Sequence, residues 1–300
     1  MTLHQSFRTE PEYGGTDISV KMKSNLSFKK LKMFNTPHKL WVGLHLLFAN
    51  LKRNHTRPKR TIGKVVLYYR ICEKGYPKEK PDYITKEHCL ANAVKEFPHS
   101  KVEWHVLADN ISDMTYQMIL KYVPAEAIKR VSVGHGAGTF RMVYEDAIQQ
   151  KDDVLVYFLE DDYLHIPGSL DYLLEAAACN YSDYLTLYDH PDKYSNEKNP
   201  YVTHEGESTK VYWCGHRHWK ETNSTTMTFA AYADVLKKDK KTFWNWTENR
   251  HPWDFVLFTD LRKMSGRRLS CPLPSCSTHG ETEMLAKGVD WEMIVCGNQD

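Results

Sequence analysis

From Lys64 onwards the sequence alternates between strand-like and helix-like segments, and this alternation limits the class of fold that the chain can adopt. Strand-like segments rich in β-branched and aromatic residues are separated by segments whose apolar residues recur at helical spacing. The strands are expected at 64–69, 101–108, 128–134 and 153–160, and the helices at 85–97, 113–123 and 138–150. Such alternation builds βαβ units. We therefore predict an α/β domain with a mostly parallel, Rossmann-like central sheet flanked by helices.

The N-terminal part of the chain has a different composition. Residues 1–62 are polar and basic, contain FKKLK and KRNHTRPKR, and have one apolar patch at 40–51. That patch is shorter than the roughly 20 residues that a membrane-spanning helix needs. We therefore expect no transmembrane segment, although this extension could contact a membrane surface. The predicted organisation is a basic extension, 1–62, and a globular domain, 63–300, with halves 63–163 and 164–300.

Charge and cysteine content narrow the classes of function. Forty Lys and Arg oppose 38 Asp and Glu, a formal net charge of +2, which gives no electrostatic reason to expect nucleic-acid binding. The 41% hydrophobic content is enough to bury a large core in 300 residues. Seven scattered cysteines, an odd number, favour a reducing compartment, so a cytoplasmic location is predicted.

The last predicted strand of the first half ends in three consecutive acids. The apolar run 154–159 is followed by Glu160, Asp161 and Asp162. Adjacent carboxylates repel one another unless a cation lies between them, and hard oxygen ligands suit Mn²⁺ or Mg²⁺. The alternative is an acidic helix start, but the next helical segment begins only near residue 169, too late for capping. The triplet therefore predicts a metal site.

Polar residues also follow the other predicted strands. The first strand ends at Tyr69 and Arg70, the second at Asp109, and the third at the GHGAG segment, 134–138. Arg141, on the following helix, is a candidate phosphate contact. Each position alone could be a solvated loop. Open α/β sheets bind ligands outside the carboxyl ends of their strands, so together these positions predict one binding crevice.

The Glu-Asp-Asp triplet at the end of a strand, after a nucleotide-binding βαβαβ half, resembles the DxD metal motif of GT-A-fold nucleotide-sugar glycosyltransferases. The EDD form is that of the N-acetylglucosaminyltransferases of N-glycan synthesis. The resemblance covers about residues 64–290 and implies a GT-A-like domain that binds Mn²⁺ or Mg²⁺. It implies that Asp162 binds the metal, with Glu160 and Asp161 beside the donor. LTLYDHPDKY and TNSTTMTF are also similar to segments of bacterial and large-DNA-virus glycosyltransferases.

The same resemblance implies roles for the nucleotide-binding residues. The acid after the second strand, Asp109, would hold the uracil ring and the ribose, and the end of the first strand, Tyr69, Arg70 and Ile71, would line the nucleotide. The expected donor is therefore a UDP-sugar. The implied reaction transfers the sugar to a hydroxyl of a carbohydrate or other acceptor, with inversion. The first half, 63–163, would bind the donor, and the second half would bind the acceptor.

An inverting transfer needs a general base on the acceptor side. In the resembled family this base is an acid that opens a helix in the second half, and HPWDFVLFTDLRKM, 251–264, has that form. Asp254 is the candidate base, with Trp253 as an aromatic wall for a sugar. The alternative is a carboxylate that only interacts favourably with the helix dipole.

Other polar and aromatic residues of the second half are candidates for acceptor or metal binding. Tyr188 and Asp189 lie where a predicted strand breaks into a loop, and a plain turn explains that loop equally well. Trp219 is a candidate for stacking on a sugar. Some GT-A enzymes use a histidine near the end of the domain as an extra metal ligand, and here this would be His279. A loop histidine without a functional role is the alternative.

Three rival interpretations remain open at the level of sequence. A structural zinc site would need two segments to meet, and its ligands would be Cys214, His216, His218, Cys271, Cys276 and His279. A non-catalytic, metal-dependent sugar-binding module would leave the nucleotide-binding half unexplained. A sugar nucleotidyltransferase would normally have a glycine-rich loop after the first strand, whereas CEKGYPKEK, 72–80, is poor in glycine.

Overall fold

The structure is a computed structural model, and it describes Leu44 and residues 57–73, 75, 78–197, 199, 202 and 206–297. Most of the expected N-terminal extension, 1–62, and its possible membrane contact lie outside these residues. The described residues all belong to one compact unit. Within them, no helix combines the length and apolar composition required to cross a membrane.

The first half has the predicted alternation of strands and helices. Its elements are β1 (Lys64–Cys72), α1 (Lys86–Glu96), β2 (Glu103–Asp109), α2 (Asp113–Leu120), β3 (Ile128–Val131), α3 (Gly136–Ala147) and β4 (Val154–Glu160), with a 3₁₀ turn at Ala125–Ala127. The third strand is shorter than predicted. It ends before Gly134 because His135 already caps α3: its Nδ1 accepts a hydrogen bond from the Gly138 N–H. Part of the GHGAG segment is therefore the first turn of a helix.

Among the described residues, the second half adds seven strands of two to five residues and four helices. Its elements are β5 (Tyr163–His165), α4 (Ser169–Cys179), β6 (Tyr184–Leu185), β7 (Val211–Cys214), β8 (Arg217–Glu221), β9 (Phe229–Tyr232), α5 (Ala233–Trp246), α6 (Asp254–Ser265), β10 (Leu269–Leu273), β11 (Ser277–His279) and α7 (Trp291–Cys296). Further 3₁₀ turns lie at Pro191–Tyr194 and Thr282–Met284.

One central sheet of nine strands carries both halves, in the order β3-β2-β1-β4-β9-β6-β10-β8-β7. The strands β9 and β8 run opposite to the other seven, so the expectation of a mostly parallel sheet is confirmed. The strands β5 and β11 form a separate antiparallel pair. The α/β class with flanking helices is likewise confirmed.

The apolar sequence of β4 follows from its position. Residues 154–159 are at most 3% exposed, because β4 lies between β1 and β9 in the middle of the sheet and is covered on both faces. Phe158 packs against Phe140 of α3 and Phe229 of β9, with ring centroids 5.3 and 5.2 Å apart. This aromatic packing fixes the end of β4, and with it the start of the acidic triplet.

Candidate active site

The carboxyl ends of β1, β2 and β4 lie side by side, as the sequence predicted. In the parallel register Arg70 pairs with Glu160, and Cys72 pairs with Asp109. The strand ends therefore bring Arg70, Asp109 and the acidic triplet to one edge of the sheet. In an open α/β sheet this edge is the usual position of a ligand site.

Glu160 is bound to the buried Arg70. The Arg70 guanidinium donates to Glu160 Oε1 at 2.7 Å and to the Gly136 carbonyl at 3.2 Å, so it joins β4 to the start of α3. Burial raises the pKa of Glu160, although the Arg70 charge opposes this shift. This pair shapes the floor of the site, and Arg70 is directed at protein groups.

Asp161 connects β4 to the segment after β1. Its Oδ2 accepts hydrogen bonds from the Cys72 N–H at 2.9 Å and from Lys86 Nζ at 2.6 Å. Lys86 is the first residue of α1. Asp161 therefore links β4 to the end of β1 and to the start of α1. Asp162 faces a different set of partners.

Asp162 is the member of the triplet that meets a histidine. Its Oδ2 lies 3.3 Å from His279 Nε2, 3.0 Å from Lys80 Nζ and 3.7 Å from Lys78 Nζ. Burial alone would raise the pKa of Asp162, but the hydrogen bond with His279 and the two lysine charges outweigh it and hold that pKa well below its usual range. Asp162 is therefore a carboxylate at neutral pH.

The pairing of β5 with β11 places His279 beside Asp162. Tyr163, next to Asp162, is the register partner of His279. A Cβ at Gly280 would lie only 2.9 Å from the Asp162 carbonyl oxygen and 2.7 Å from Ile84 Cγ2. The missing side chain of Gly280 therefore permits this close approach, and two distant segments of sequence meet at one point.

The separation of Asp162 and His279 is compatible with two adjacent ligands of one divalent ion. Two ligand atoms at about 2.1 Å and a right angle to one ion are about 3.0 Å apart, close to the observed 3.3 Å. One carboxylate oxygen and one imidazole nitrogen suit Mn²⁺ better than Mg²⁺. Among the described residues, no three His, Cys, Asp or Glu side chains cluster as a metal site. Further ligands would therefore have to come from the substrate and water.

The rival zinc site is not assembled among these residues. His216 contacts Glu175, Cys271 Sγ donates to Asp189, and His279 lies beside Asp162. His216, Cys271 and His279 therefore have different side-chain partners, and the six candidate ligands do not form a cluster of three or more among the described residues.

Asp109 is held by the loop that follows β3. Its two carboxylate oxygens accept the Val133 N–H at 2.6 Å and the Gly134 N–H at 2.8 Å, and Asn110 Nδ2 donates to it at 3.0 Å. Gly134 has φ +76°, a conformation in which glycine avoids a Cβ clash. Asp109 therefore fixes the loop that borders the crevice.

Tyr69 and Ile71, predicted to line the nucleotide, and Arg141, predicted to contact a phosphate, all face protein neighbours. Tyr69 and Ile71 are 1% and 2% exposed and belong to the core, and the buried Tyr69 hydroxyl has no hydrogen-bond partner among the described residues. Arg141 donates to Thr247 Oγ1 and to the Trp244 carbonyl, which ties α3 to α5. The structure does not bring Arg141 into the cluster around Asp162.

Asp254 opens α6, as predicted, and is held by a loop that precedes β9. Its Oδ2 accepts the N–H groups of Thr225 and Thr226 at 2.8 and 3.0 Å, and its Oδ1 accepts the Thr225 hydroxyl at 2.8 Å. Burial raises the pKa of Asp254, although these hydrogen bonds oppose the shift. Trp253 is 53% exposed beside it.

The loop 222–228 connects Asp254 with the acidic triplet. The Tyr163 hydroxyl hydrogen-bonds with Thr226 Oγ1, and the Glu160 N–H donates to Thr228 Oγ1 at 3.3 Å. This loop therefore contacts Asp254 and also two residues of the acidic segment: Glu160, the first acid of the triplet, and Tyr163, which follows its last acid. Sequence analysis had placed these acids in separate halves of the domain.

The remaining acceptor candidates are engaged within the protein. Tyr188 and Trp219 are each 1% exposed, and the Tyr188 hydroxyl donates to the Met284 carbonyl. Asp189 accepts from Lys220 Nζ at 2.8 Å and from the Tyr194 hydroxyl at 2.6 Å. Of the four predicted acceptor residues, Trp253 is the one with a largely exposed side chain.

Sequence analysis missed Lys78 and Lys80, whose ammonium groups lie at Asp162. A signal was present, because CEKGYPKEK carries three lysines directly after the first strand.

Among known proteins, the chain is similar in fold to several solved structures. No protein-family model and no curated protein matches the chain. A similar solved structure is the galactosyltransferase LgtC in complex with donor and acceptor sugar analogues, with 11% identity, a TM-score of 0.36, and coverage of 68% of this chain and 72% of that chain.

Two further similar structures are larger proteins. The chain matches S. aureus TarS with 15% identity, a TM-score of 0.40 and coverage of 69% of this chain and 35% of that chain. It matches GalNAc-T7 with UDP, GalNAc and Mn²⁺ with 10% identity, a TM-score of 0.47 and coverage of 72% and 43%. The matched regions make up less than half of these two proteins.

Proposed function

We propose that this chain is a GT-A-like glycosyltransferase that transfers a sugar, a hexose or a pentose, from a UDP-sugar to a hydroxyl of a carbohydrate acceptor. The observation that carries the proposal is the pairing of Asp162 with His279, beside the loop that holds Asp254. Asp162 and His279 are suited to the diphosphate end of the donor, through a bound metal ion, and Asp254 is suited to accept a proton. Glycosyl transfer with inversion needs both functions on opposite sides of the reacting carbon.

Asp162 and His279 would hold a divalent ion, with Mn²⁺ favoured by their mixed donor set. When bound, the ion would act as a Lewis acid that stabilises the negative charge of the departing nucleoside diphosphate. Glu160 and Asp161 position this pair through Arg70 and Lys86. Asp109 would support the nucleoside by fixing the loop at 133–134.

Asp254 would remove the proton from the acceptor hydroxyl as its oxygen attacks the sugar. A carboxylate has about four lone-pair positions, and Asp254 uses three for hydrogen bonds with Thr225 and Thr226, which leaves one for the incoming proton. Its raised pKa brings it closer to neutral pH, where a general base is more effective. The exposed ring of Trp253 offers an apolar face on which an acceptor sugar could stack.

A screen of nucleotide-sugars tests the proposal directly. Thermal stabilisation and hydrolysis are measured with Mn²⁺ and with EDTA, on the wild type and on the Asp162→Asn and Asp254→Asn variants. We expect Mn²⁺-dependent hydrolysis of a UDP-sugar, reduced in both variants, with binding retained in Asp254→Asn. Failure of every nucleotide-sugar to bind or react with Mn²⁺ present would overturn the proposal.

The same screen separates the rival functions. Saturable binding of free sugars without nucleotide-sugar binding would identify a sugar-binding module. Release of pyrophosphate from a nucleoside triphosphate and a sugar phosphate would identify a sugar nucleotidyltransferase. A cytoplasmic location also remains a proposal, supported by the odd number and the scatter of the seven cysteines.

A further inference from the structure

Each acid of the triplet already has its own cation. The pairs are Glu160 with Arg70 at 2.7 Å, Asp161 with Lys86 at 2.6 Å, and Asp162 with Lys80 at 3.0 Å. Lys78 is a fourth cation at this point. Its ammonium nitrogen lies 3.7 Å from Asp162 Oδ2. Four basic side chains therefore meet three acidic ones. The repulsion between carboxylates does not by itself require a metal ion here.

The two lysines contact the atoms that a metal ion would use. Lys80 Nζ donates to Asp162 Oδ2, and Lys78 Nζ lies 2.8 Å from His279 Nε2. A divalent ion at this pair would meet two ammonium groups at short range, which like-charge repulsion disfavours. Metal binding at Asp162 and His279 therefore requires the lysines to find another negatively charged partner.

A diphosphate is such a partner. The lysine side chains are 32% and 28% exposed, so both ammonium groups remain accessible from solvent. An ammonium group donates up to three hydrogen bonds, and charge-assisted bonds to phosphate oxygens are among the strong ones. Lys78 and Lys80 can therefore exchange Asp162 and His279 for phosphate oxygens without leaving the site.

We propose that Lys78 and Lys80 bind the diphosphate of the donor directly, and that this binding persists without a metal ion. The identity of the ligand rests on the proposed function. With the diphosphate bound, the lysines release Asp162 and His279, which then become available to the metal. The anion and the metal ion therefore each favour the binding of the other.

Calorimetry with inorganic pyrophosphate in EDTA tests the lysines separately from catalysis. The wild type is expected to bind pyrophosphate, and the Lys78→Ala/Lys80→Ala double variant to bind it at least tenfold more weakly. Lys237→Ala serves as the control, because Lys237 pairs with the exposed Asp152 on another part of the surface. The single Lys80→Met variant, which keeps most of the side-chain volume, covers the case in which the double variant does not fold.

The Asp162→Asn variant should change pyrophosphate affinity in the opposite direction to the lysine variants. Loss of this carboxylate frees the lysines, so pyrophosphate affinity in EDTA should rise, while Mn²⁺-dependent UDP binding should fall. Removing the lysines should in turn increase the affinity for Mn²⁺ alone, measured by electron paramagnetic resonance without nucleotide.

The inference and the proposed function fail in different ways. Turnover of a UDP-sugar with no pyrophosphate binding in EDTA, or with equal binding by wild type and lysine variants, would overturn the inference alone. Lysine-dependent pyrophosphate binding without turnover of any nucleotide-sugar would support the lysine site and count against the transferase.

Discussion

Replacement of Asp254 by Asn should separate its proposed chemical role from its structural role. The carboxylate accepts two backbone N–H groups and one hydroxyl, from Thr225 and Thr226. An asparagine can keep both N–H bonds on its carbonyl oxygen and can donate its amide to the Thr225 hydroxyl. Because burial raises the pKa of Asp254, the ionised form is already disfavoured there, and a neutral amide removes that cost. We therefore expect a small loss of stability, below about 1 kcal/mol.

The rate of sugar transfer should fall much more than the stability in the Asp254→Asn variant. Loss of a general base typically lowers the rate by about 10²–10⁴-fold. By contrast, Asp254→Ala leaves three donors without their partner, and at about 1 kcal/mol each the loss of stability should reach about 3 kcal/mol. At roughly 2–4 °C per kcal/mol, that variant should melt about 6–12 °C lower than the wild type, whereas Asp254→Asn should melt within about 4 °C of it.

The assay is single-turnover transfer and thermal melting on the same samples, repeated across pH. Wild-type transfer should decline as pH falls through the raised pKa of Asp254, because protonation removes the base, and this limb should be missing in Asp254→Asn. Near-normal transfer by Asp254→Asn would refute the reasoning. The base would then be sought among Asp189, Asp192 and Glu281, which lie beside Lys220, His190 and His279, respectively.

Three further substitutions test the donor side. Asp162→Ala should abolish Mn²⁺-dependent UDP binding and lower turnover by orders of magnitude without changing the circular dichroism spectrum, whereas undiminished wild-type activity in EDTA would contradict a metal role. Asp109→Asn should weaken UDP binding by about tenfold in calorimetry with a smaller effect on the maximal rate, since it loosens the loop at Gly134; an unchanged affinity would place the nucleoside elsewhere. Glu160→Ala leaves the buried Arg70 without its carboxylate and should cost about 1–3 kcal/mol in urea denaturation, and an unchanged midpoint would show that the pair contributes nothing.

The elements and the strand-end position of the acids could be predicted from sequence because both depend on local pattern. The apolar run of β4 and the helical spacing of α1 to α3 are visible in short windows. Strand ends converge by the geometry of a parallel sheet, which brought Arg70, Asp109 and Asp162 to one edge without knowledge of any side-chain contact.

The direction of individual side chains could not be predicted in this way, because it is set by partners far away in sequence. Arg141 lies on the expected helix but its guanidinium binds the Trp244 carbonyl of α5. Trp219 is buried because β8 lies inside the sheet, between β7 and β10. The charge of the triplet is matched by lysines such as Lys80, 82 residues away. Repulsion between neighbouring acids is therefore a weaker indication of metal than it appears from sequence alone.

The loop 222–228 makes the positions of Asp254 and Asp162 depend on each other. Thr226 and Met227 have φ values of +47° and +60°, a region in which non-glycine residues cost of the order of 1–3 kcal/mol each. Asp254 holds this conformation through the Thr226 N–H, and Tyr163, the residue after Asp162, holds it through the Thr226 hydroxyl. A shift of the loop would therefore move the proposed base and the proposed donor site together. This coupling is why only an isosteric change at Asp254, which keeps the loop in place, can distinguish a proton acceptor from an anchor.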